Sequence, residues 1–311
     1  MSTEQKRTLT ITRPSELCWK IAFNGPPDNR LTENMLKQLL EALDQVELEW
    51  RQQSDWSKQF DAKRKGGALI LTSEITKFFS NGLDYENSIK NPNFHLEVFN
   101  PVSVRLLTFP MVTIAAINGH AFAGGYMMAL LCDFRLMTDG RAWCCMNEIL
   151  STSQIDFGAP MPPFFARLLH LRLSHTRSAN ILRKTLLGHR FTAPELLEEG
   201  IVDEIVPADQ LQERAIQFGN EIGVKSKGGS WGEMKVSVSA PYQLASISEI
   251  PIDTPRLRLV QRFAYHDAVA GATTETGPLM PQQQAQQFLK RMQEKGSFML
   301  DGTGQKVKPK L

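Results

Sequence analysis

The stretch that decides the reading of this chain is Ile117 to Pro163, INGHAFAGGYMMALLCDFRLMTDGRAWCCMNEILSTSQIDFGAPMPP. A strand-like run, Val112–Ile117, breaks at Asn118-Gly119, and Ala123-Gly124-Gly125 then opens an apolar segment, Tyr126–Leu131. Glycines here permit a turn that bulkier residues would not, and they expose backbone N–H groups at a helix start. An N–H on the positive end of a helix dipole suits an oxygen that is becoming an anion. Further on, Glu148 stands alone as a carboxylate in an apolar, cysteine-bearing run. An anion-stabilising turn and a buried carboxylate together point to proton transfer beside a carbonyl.

Working outward, the order of elements is strand–helix repeated. Thr8–Thr12 and Leu17–Phe23 alternate apolar and polar residues across Arg13-Pro14-Ser15, which predicts a β-hairpin. Thr32 caps a helical pattern from Glu33 to about Gln53, with Met35, Leu36, Leu39, Leu40, Leu43, Val46 and Trp50 at core spacing. Ala68–Leu71 reads as a buried strand, and Lys77–Tyr85 (KFFSNGLDY) as a second glycine turn. A helix is expected from about His95 to Thr108, and strands near Asp133–Thr138 and Ala142–Met146. Beyond Pro162 the pattern turns helical, over Phe164–Leu171, Ser174–Leu187, a start capped at Thr192, and residues 209–225, with a short strand at Ile201–Val206. Lys225–Gly232 reads as a flexible link before helical pieces at about 254–270 and 281–294 and a loose tail. This order predicts an α/β fold with a largely parallel sheet.

At 311 residues, 42% hydrophobic and 22% charged, the chain has the composition of a soluble globular protein with a sizeable core. A net charge of +2 gives no case for nucleic acid, and no apolar run reaches the length of a membrane span. The mixed run Lys58–Lys65 reads as a solvated loop. Cys18, Cys132, Cys144 and Cys145 lack zinc or redox spacing, which fits thiols packed in a reducing compartment. His170 and His175 have no partner at ligand spacing, so no metal site is expected. His120 reads as a packed, hydrogen-bonded histidine, Asp133 as an anchor for the strand after the helix, and Tyr126, Met127 and Met128 as core or pocket lining. The last three residues, Pro309-Lys310-Leu311, resemble an SKL-type peroxisomal address, and a flexible basic tail explains them equally well. A cytoplasmic or mitochondrial location is the alternative.

Five segments carry a family resemblance: FFSNGLDY (78–85), AAINGHAFAGGYMMALLCDFRL (115–136), CMNEI (145–149), DFGAPMPP (156–163) and FTAPELLEEGIVDEIVP (191–207). Across roughly residues 8–225 the chain resembles the crotonase (enoyl-CoA hydratase/isomerase) superfamily, most closely its Δ3,Δ2-enoyl-CoA isomerase branch. The resemblance implies a crotonase-like spiral of ββα repeats with a helical C-terminal region. It divides the chain into an acyl-CoA-binding core, 1–225, and a helical region with a flexible tail, 226–311. Assembly into a homotrimer or a hexamer is also implied, with coenzyme A entering as part of the substrate and no separate cofactor.

Carried over by position, the oxyanion donors are the N–H groups of Leu83 and Gly124, and Ser80, Asn81, Gly82, Leu83, Asp84 and Gly124 line the acyl-CoA. The hydratases have two catalytic glutamates. The first falls at Met127 and is absent; the second falls at Glu148. Hydration needs a water held between two carboxylates, whereas moving a double bond from C3 to C2 needs one base. The implied activity is therefore a Δ3,Δ2-enoyl-CoA isomerase of fatty-acid β-oxidation with Glu148 as base. The alternatives are another crotonase reaction, such as hydration, dienoyl-CoA isomerisation or thioester hydrolysis, or a non-catalytic acyl-CoA binder. One departure stands out: the family's continuous NEIDFGAP is split here by six residues, Leu150–Ile155 (or the equivalent Ile149–Gln154). A gene-model artefact, a tolerated surface loop and a displaced base each account for it.

Overall fold

The computed structural model describes residues 7–53, 64–88, 90–91, 93–146, 161–174, 176–178, 180–247, 299–301 and 306–307. Glu148, the insertion, His175, the expected helices at 254–270 and 281–294 and the terminal tripeptide lie outside the described residues.

The chain opens with the expected hairpin, β1 (Leu9–Arg13) antiparallel to β2 (Cys18–Phe23). Helix α1 (Glu33–Gln52) follows, with Thr32 Oγ1 accepting the Met35 N–H at 3.1 Å to satisfy a first-turn donor. Its apolar stripe, including Leu36, Leu39, Leu43 and Val46, is buried in the main core.

Three repeats then build two sheets. The first strand of each repeat, β3 (Ala68–Ser73), β5 (Val112–Ile117) and β7 (Phe134–Thr138), joins the large sheet; β2 pairs parallel with β3, and β9 (Glu204–Val206) pairs parallel with β7. The second strand of each repeat, β4 (Phe78–Ser80), β6 (His120–Phe122) and β8 (Cys144–Cys145), forms a separate three-stranded parallel sheet in that order. After β4 the chain makes a short helix, α2 (Tyr85–Ser88), and a π-helical turn, Phe94–Phe99, running into α3 (Asn100–Leu107); after β6 it makes α4 (Gly124–Leu131). This is the ββα spiral that the resemblance implies. β3 and β5 are buried along their whole length, as strands covered on both faces must be.

Several expectations need correction. Among the described residues of Ser174–Leu187 only Ile181–Leu186 is helical, because Ser178 Oγ takes the Asn180 N–H at 3.1 Å in a local turn that competes with the helix. Lys225–Gly232, expected as a flexible link, is regular structure instead: Val224–Gly228 forms a 3-10 turn, and a helix spans Ser230–Ile247. That helix is tied back to the core, since Asp133 Oδ2 accepts from Lys235 Nζ (2.8 Å), Trp231 Nε1 (3.2 Å) and the Thr113 N–H (2.9 Å). Asp133 thus anchors the strand after α4, as expected, and a C-terminal helix besides. The expected loose tail contains Met299–Asp301, which pairs parallel with β1, and Lys306–Val307, which pairs with it in turn.

Candidate active site

Both glycine turns leave adjacent parallel strands at the same end. β4 runs into Asn81–Asp84 and β6 into Ala123–Gly125, and the strands pair with Ser80 opposite Ala121. The turns touch directly. A Cβ on Gly125 would collide with the Ser80 carbonyl oxygen and lie 2.8 Å from Ser80 Cβ, and one on Gly82 would lie 2.9 Å from the Phe122 oxygen. Gly82 also has φ +87°, a left-handed conformation that glycine adopts without strain. Only glycine at these two positions lets the turns close on each other.

A brace from the N-terminal segment orients the first turn. The Leu31 N–H donates to the Gly82 oxygen at 2.8 Å, and the Asp84 N–H donates to the Leu31 oxygen at 3.4 Å. Successive N–H groups of extended backbone alternate sides, so Leu83 directs its N–H away from Leu31. Among the described residues that N–H has no acceptor. Neighbouring contacts fix the brace itself. Asn29, buried with φ +54°, donates through Nδ2 to Ser73 Oγ (2.6 Å) and to the Phe78 and Phe79 oxygens (3.2 Å each). Asn81 Nδ2 donates to Asp28 Oδ2 at 2.6 Å. Ser80 Oγ donates to the Asn29 oxygen at 2.8 Å and accepts the Gly82 N–H at 3.3 Å.

The second turn starts α4. Gly124 is its first residue, so the helix geometry gives its N–H no internal acceptor, and none is found among the described residues. Ala123, immediately before it, takes φ +44° and ψ −113°, a region costly for any side chain-bearing residue. Two bonds hold it there: its N–H to the Cys145 oxygen at 2.8 Å, and its own oxygen from the Met127 N–H at 3.0 Å. At the other end of α4, Arg172 donates to the Leu130 and Cys132 oxygens (2.8 and 3.3 Å) and Arg135 to the Cys132 oxygen (2.7 Å). Burial lowers the Arg172 guanidinium to about 10, still protonated near neutral pH. Positive charge on the C-terminal carbonyls complements the dipole whose positive end lies at Gly124.

The structure thus brings Ser80, Asn81, Gly82, Leu83 and Gly124 together, with Asp84 capping the short helix Tyr85–Ser88 through its backbone oxygen and Asn87 Nδ2 (2.7 Å). The Ser80 and Asn81 side chains point into the brace, so these residues present backbone, not side chains, to the turn's open side. Met127 is fully buried on α4, as are Met128 and Tyr126. Cys145 and Met146 carry the chain out at the same strand end as both turns, and Glu148 follows beyond the described residues. His120 is packed as expected: it stacks on Trp143 (4.8 Å) and Phe122 (5.1 Å), and its Nδ1 accepts the Trp143 N–H at 3.2 Å. Nothing in the sequence marks Asn29 and Leu31 or the backbone strain at Ala123, because a positive φ outside glycine and a bridge between distant residues leave no local signal.

Among the described residues no group of three or more His, Cys, Asp or Glu is placed to hold a metal, and no helix is long and apolar enough to cross a membrane.

The family model for enoyl-CoA hydratase/isomerase matches residues 15–264. The chain belongs to that family. Among its curated relatives, enoyl-CoA delta isomerase 3 of Arabidopsis thaliana is 32% identical over 183 residues, covering 55% of this chain and 73% of that protein. Mitochondrial enoyl-CoA delta isomerase 1 of Mus musculus is 32% identical over 215 residues, covering 68% of this chain and 66% of that protein. A peroxisomal enoyl-CoA delta isomerase 2 of Arabidopsis is 30% identical, so relatives' names divide between two compartments. The crystal structure of human mitochondrial delta3-delta2-enoyl-CoA isomerase superposes with a TM-score of 0.61 at 23% identity, over 93% of this chain and 99% of that one. The enoyl-CoA hydratase/isomerase fold is therefore shared along nearly the whole length.

Proposed function

We propose that this family member is a Δ3,Δ2-enoyl-CoA isomerase that converts 3-enoyl-CoA to trans-2-enoyl-CoA with one carboxylate base. The observation that carries the reading is the pair of backbone N–H groups, Leu83 and Gly124, lacking acceptors among the described residues and set in abutting turns at one sheet end. They would receive the thioester oxygen as it gains charge, each such donor being typically worth about 2.7–4 kcal/mol. Glu148 would remove a C2 proton, the dienolate would be held by the two donors, and the same carboxylic acid would return the proton at C4. The buried Met127 supports isomerisation over hydration, because a thioether can neither activate a water nor deliver a proton. The isomerase names of the relatives support the same choice.

The proposal includes assembly into a homotrimer or a hexamer. Met234 and Val238, one helical turn apart and 61% and 65% exposed, give the helix Ser230–Ile247 an apolar surface that a neighbouring subunit would cover. Light scattering should return an oligomer; a monomer at working concentration removes that part of the proposal.

The activity is tested by offering the purified protein 3-enoyl-CoA and 2-enoyl-CoA separately. The reading expects conjugated 2-enoyl thioester from the first and negligible 3-hydroxyacyl-CoA from the second. Efficient hydration without isomerisation would overturn it.

A further inference from the structure

Residues 157–194 contain six Lys or Arg and no Asp or Glu, in a chain whose net charge is only +2. Within this stretch the helix Ile181–Leu186 buries Ile181 and Thr185 and turns Arg183, Lys184 and Leu186 to solvent. Leu187, whose N–H donates to the Arg183 oxygen at 3.0 Å, is 65% exposed, and Leu186 is 40% exposed. Arg190 follows three residues on, also exposed. Among the described residues none of Arg183, Lys184 and Arg190 pairs with a carboxylate; Arg183 donates only to Asn180 Oδ1 at 2.8 Å. Several cations elsewhere on the surface are paired: Lys37 with Glu33, Lys65 with Glu16, and Arg214 with Glu204 and Glu221.

The same sign continues across the small sheet. Phe191 exchanges backbone hydrogen bonds with Cys144 at 3.0 and 2.9 Å, an antiparallel bridge that sets Arg190 across from Cys145 at the edge of the small sheet. Arg141 lies 5.4 Å from the Trp143 ring centroid and Lys77 lies 5.3 Å from that of Phe78, so rings hold both cations. Burial holds the His120 imidazole below the ordinary histidine range, and Lys77, Arg141 and Arg190 add to the effect. Lys77 and Arg141 precede β4 and β8 and so stand at the end of the small sheet opposite the glycine turns.

Two adjacent leucines held out in water at a helix end, ringed by unpaired cations, match the two-part chemistry of a peripheral membrane contact. Apolar side chains enter the acyl boundary and basic residues meet anionic headgroups. We propose that Leu186 and Leu187, with Arg183, Lys184 and Arg190, dock this protein on an anionic phospholipid surface. Charge alone would equally suit an acidic protein; the exposed leucine pair favours the lipid.

The test is flotation of the full chain with vesicles of phosphatidylcholine, with and without phosphatidylserine. Binding should require phosphatidylserine and weaken with added salt. Each basic residue near such a surface contributes about a factor of five, so Arg183→Gln with Lys184→Gln should lower the partition constant about 25-fold. Leu187→Ser should lower it about tenfold through lost apolar burial. Lys37→Gln, on an exposed but paired lysine elsewhere, should change it far less. These positions are at the surface, so circular dichroism and turnover of a short, soluble 3-enoyl-CoA should match wild type, which separates this result from the catalytic reading. No phosphatidylserine-dependent binding, binding unchanged by the Arg183/Lys184 pair, or equal loss in Lys37→Gln would overturn the proposal. Binding lost with the charges but indifferent to Leu187 would also overturn it and indicate an electrostatic contact of the kind an acidic protein makes.

Discussion

Gly125→Ala is the perturbation that interrogates the paired turns most sharply. The new Cβ would collide with the Ser80 carbonyl oxygen and lie 2.8 and 2.9 Å from Ser80 Cβ and C. All three atoms belong to a residue held by Ser80 Oγ bonds to Asn29 and Gly82, so no flexible chain end can swing aside. Restoring ordinary contact requires the start of α4 to move from the first turn by roughly 1 Å. Such overpacking typically costs about 1–3 kcal/mol of stability. The effect on rate should be larger than that on folding, because the movement separates the Gly124 N–H from that of Leu83. A misplacement of about 1 Å costs on the order of 100-fold in rate. The assay is kcat/KM for 3-enoyl-CoA isomerisation, beside urea unfolding of the same preparation. Gly200→Ala is the control: φ is +75° with nothing within 4 Å of the added Cβ, so only backbone strain of about 1–2 kcal/mol enters. A folded Gly125→Ala protein within a few-fold of wild-type activity would refute the reasoning, and so would an equal loss of activity in Gly200→Ala.

Three further outcomes follow from the structure. Asn29→Ala strips a donor from Ser73 Oγ and the Phe78 and Phe79 oxygens and leaves alanine at φ +54°; urea unfolding should register a loss of about 2–4 kcal/mol, and kcat should fall more than KM rises. Arg105→Met leaves Asp44 and Glu47 buried without the guanidinium that contacts both, and thermal unfolding should show about 3–5 kcal/mol lost. Burial holds His95 and His120 below the ordinary histidine range, with cations adding to the effect on His120, so the unfolded chain binds more protons below about pH 6.5. Stability should therefore fall as pH drops from about 6.5 through the folded-state values, and His120→Gln should flatten the urea midpoint over that window.

Sequence legibility followed signal length. Helix α1, the hairpin and the long strands announce themselves because burial repeats over many residues with a fixed period. The small sheet does not: β4, β6 and β8 are three, three and two residues long, too short for alternation to register, although they aim both turns. The glycine turns were readable as motifs, but the brace on them was not. Asn29 and Leu31 sit in a segment that reads only as the end of a hairpin, and their partners at Ser73, Phe78 and Gly82 are distant in sequence. The strain at Ala123 was hidden for the same reason, since alanine gives no hint of a positive φ. Lys225–Gly232 misled because Gly228 and Gly229 suggest a linker, while Ser226 Oγ bonds the Gly67 oxygen at 3.0 Å and fastens the turn to the start of β3.

The central claim is that Glu148 serves as the single base beside the Leu83 and Gly124 donors, with the six-residue insertion tolerated. The most direct test is single-turnover conversion of 3-enoyl-CoA by Glu148→Gln, with acyl-CoA binding measured on the same sample. The account predicts undiminished binding and a rate lowered by about 10²–10⁴-fold, the usual contribution of a positioned acid–base group. A Glu148→Gln protein that turns over at the wild-type rate, or a wild type that binds acyl-CoA and never isomerises it, would contradict the account.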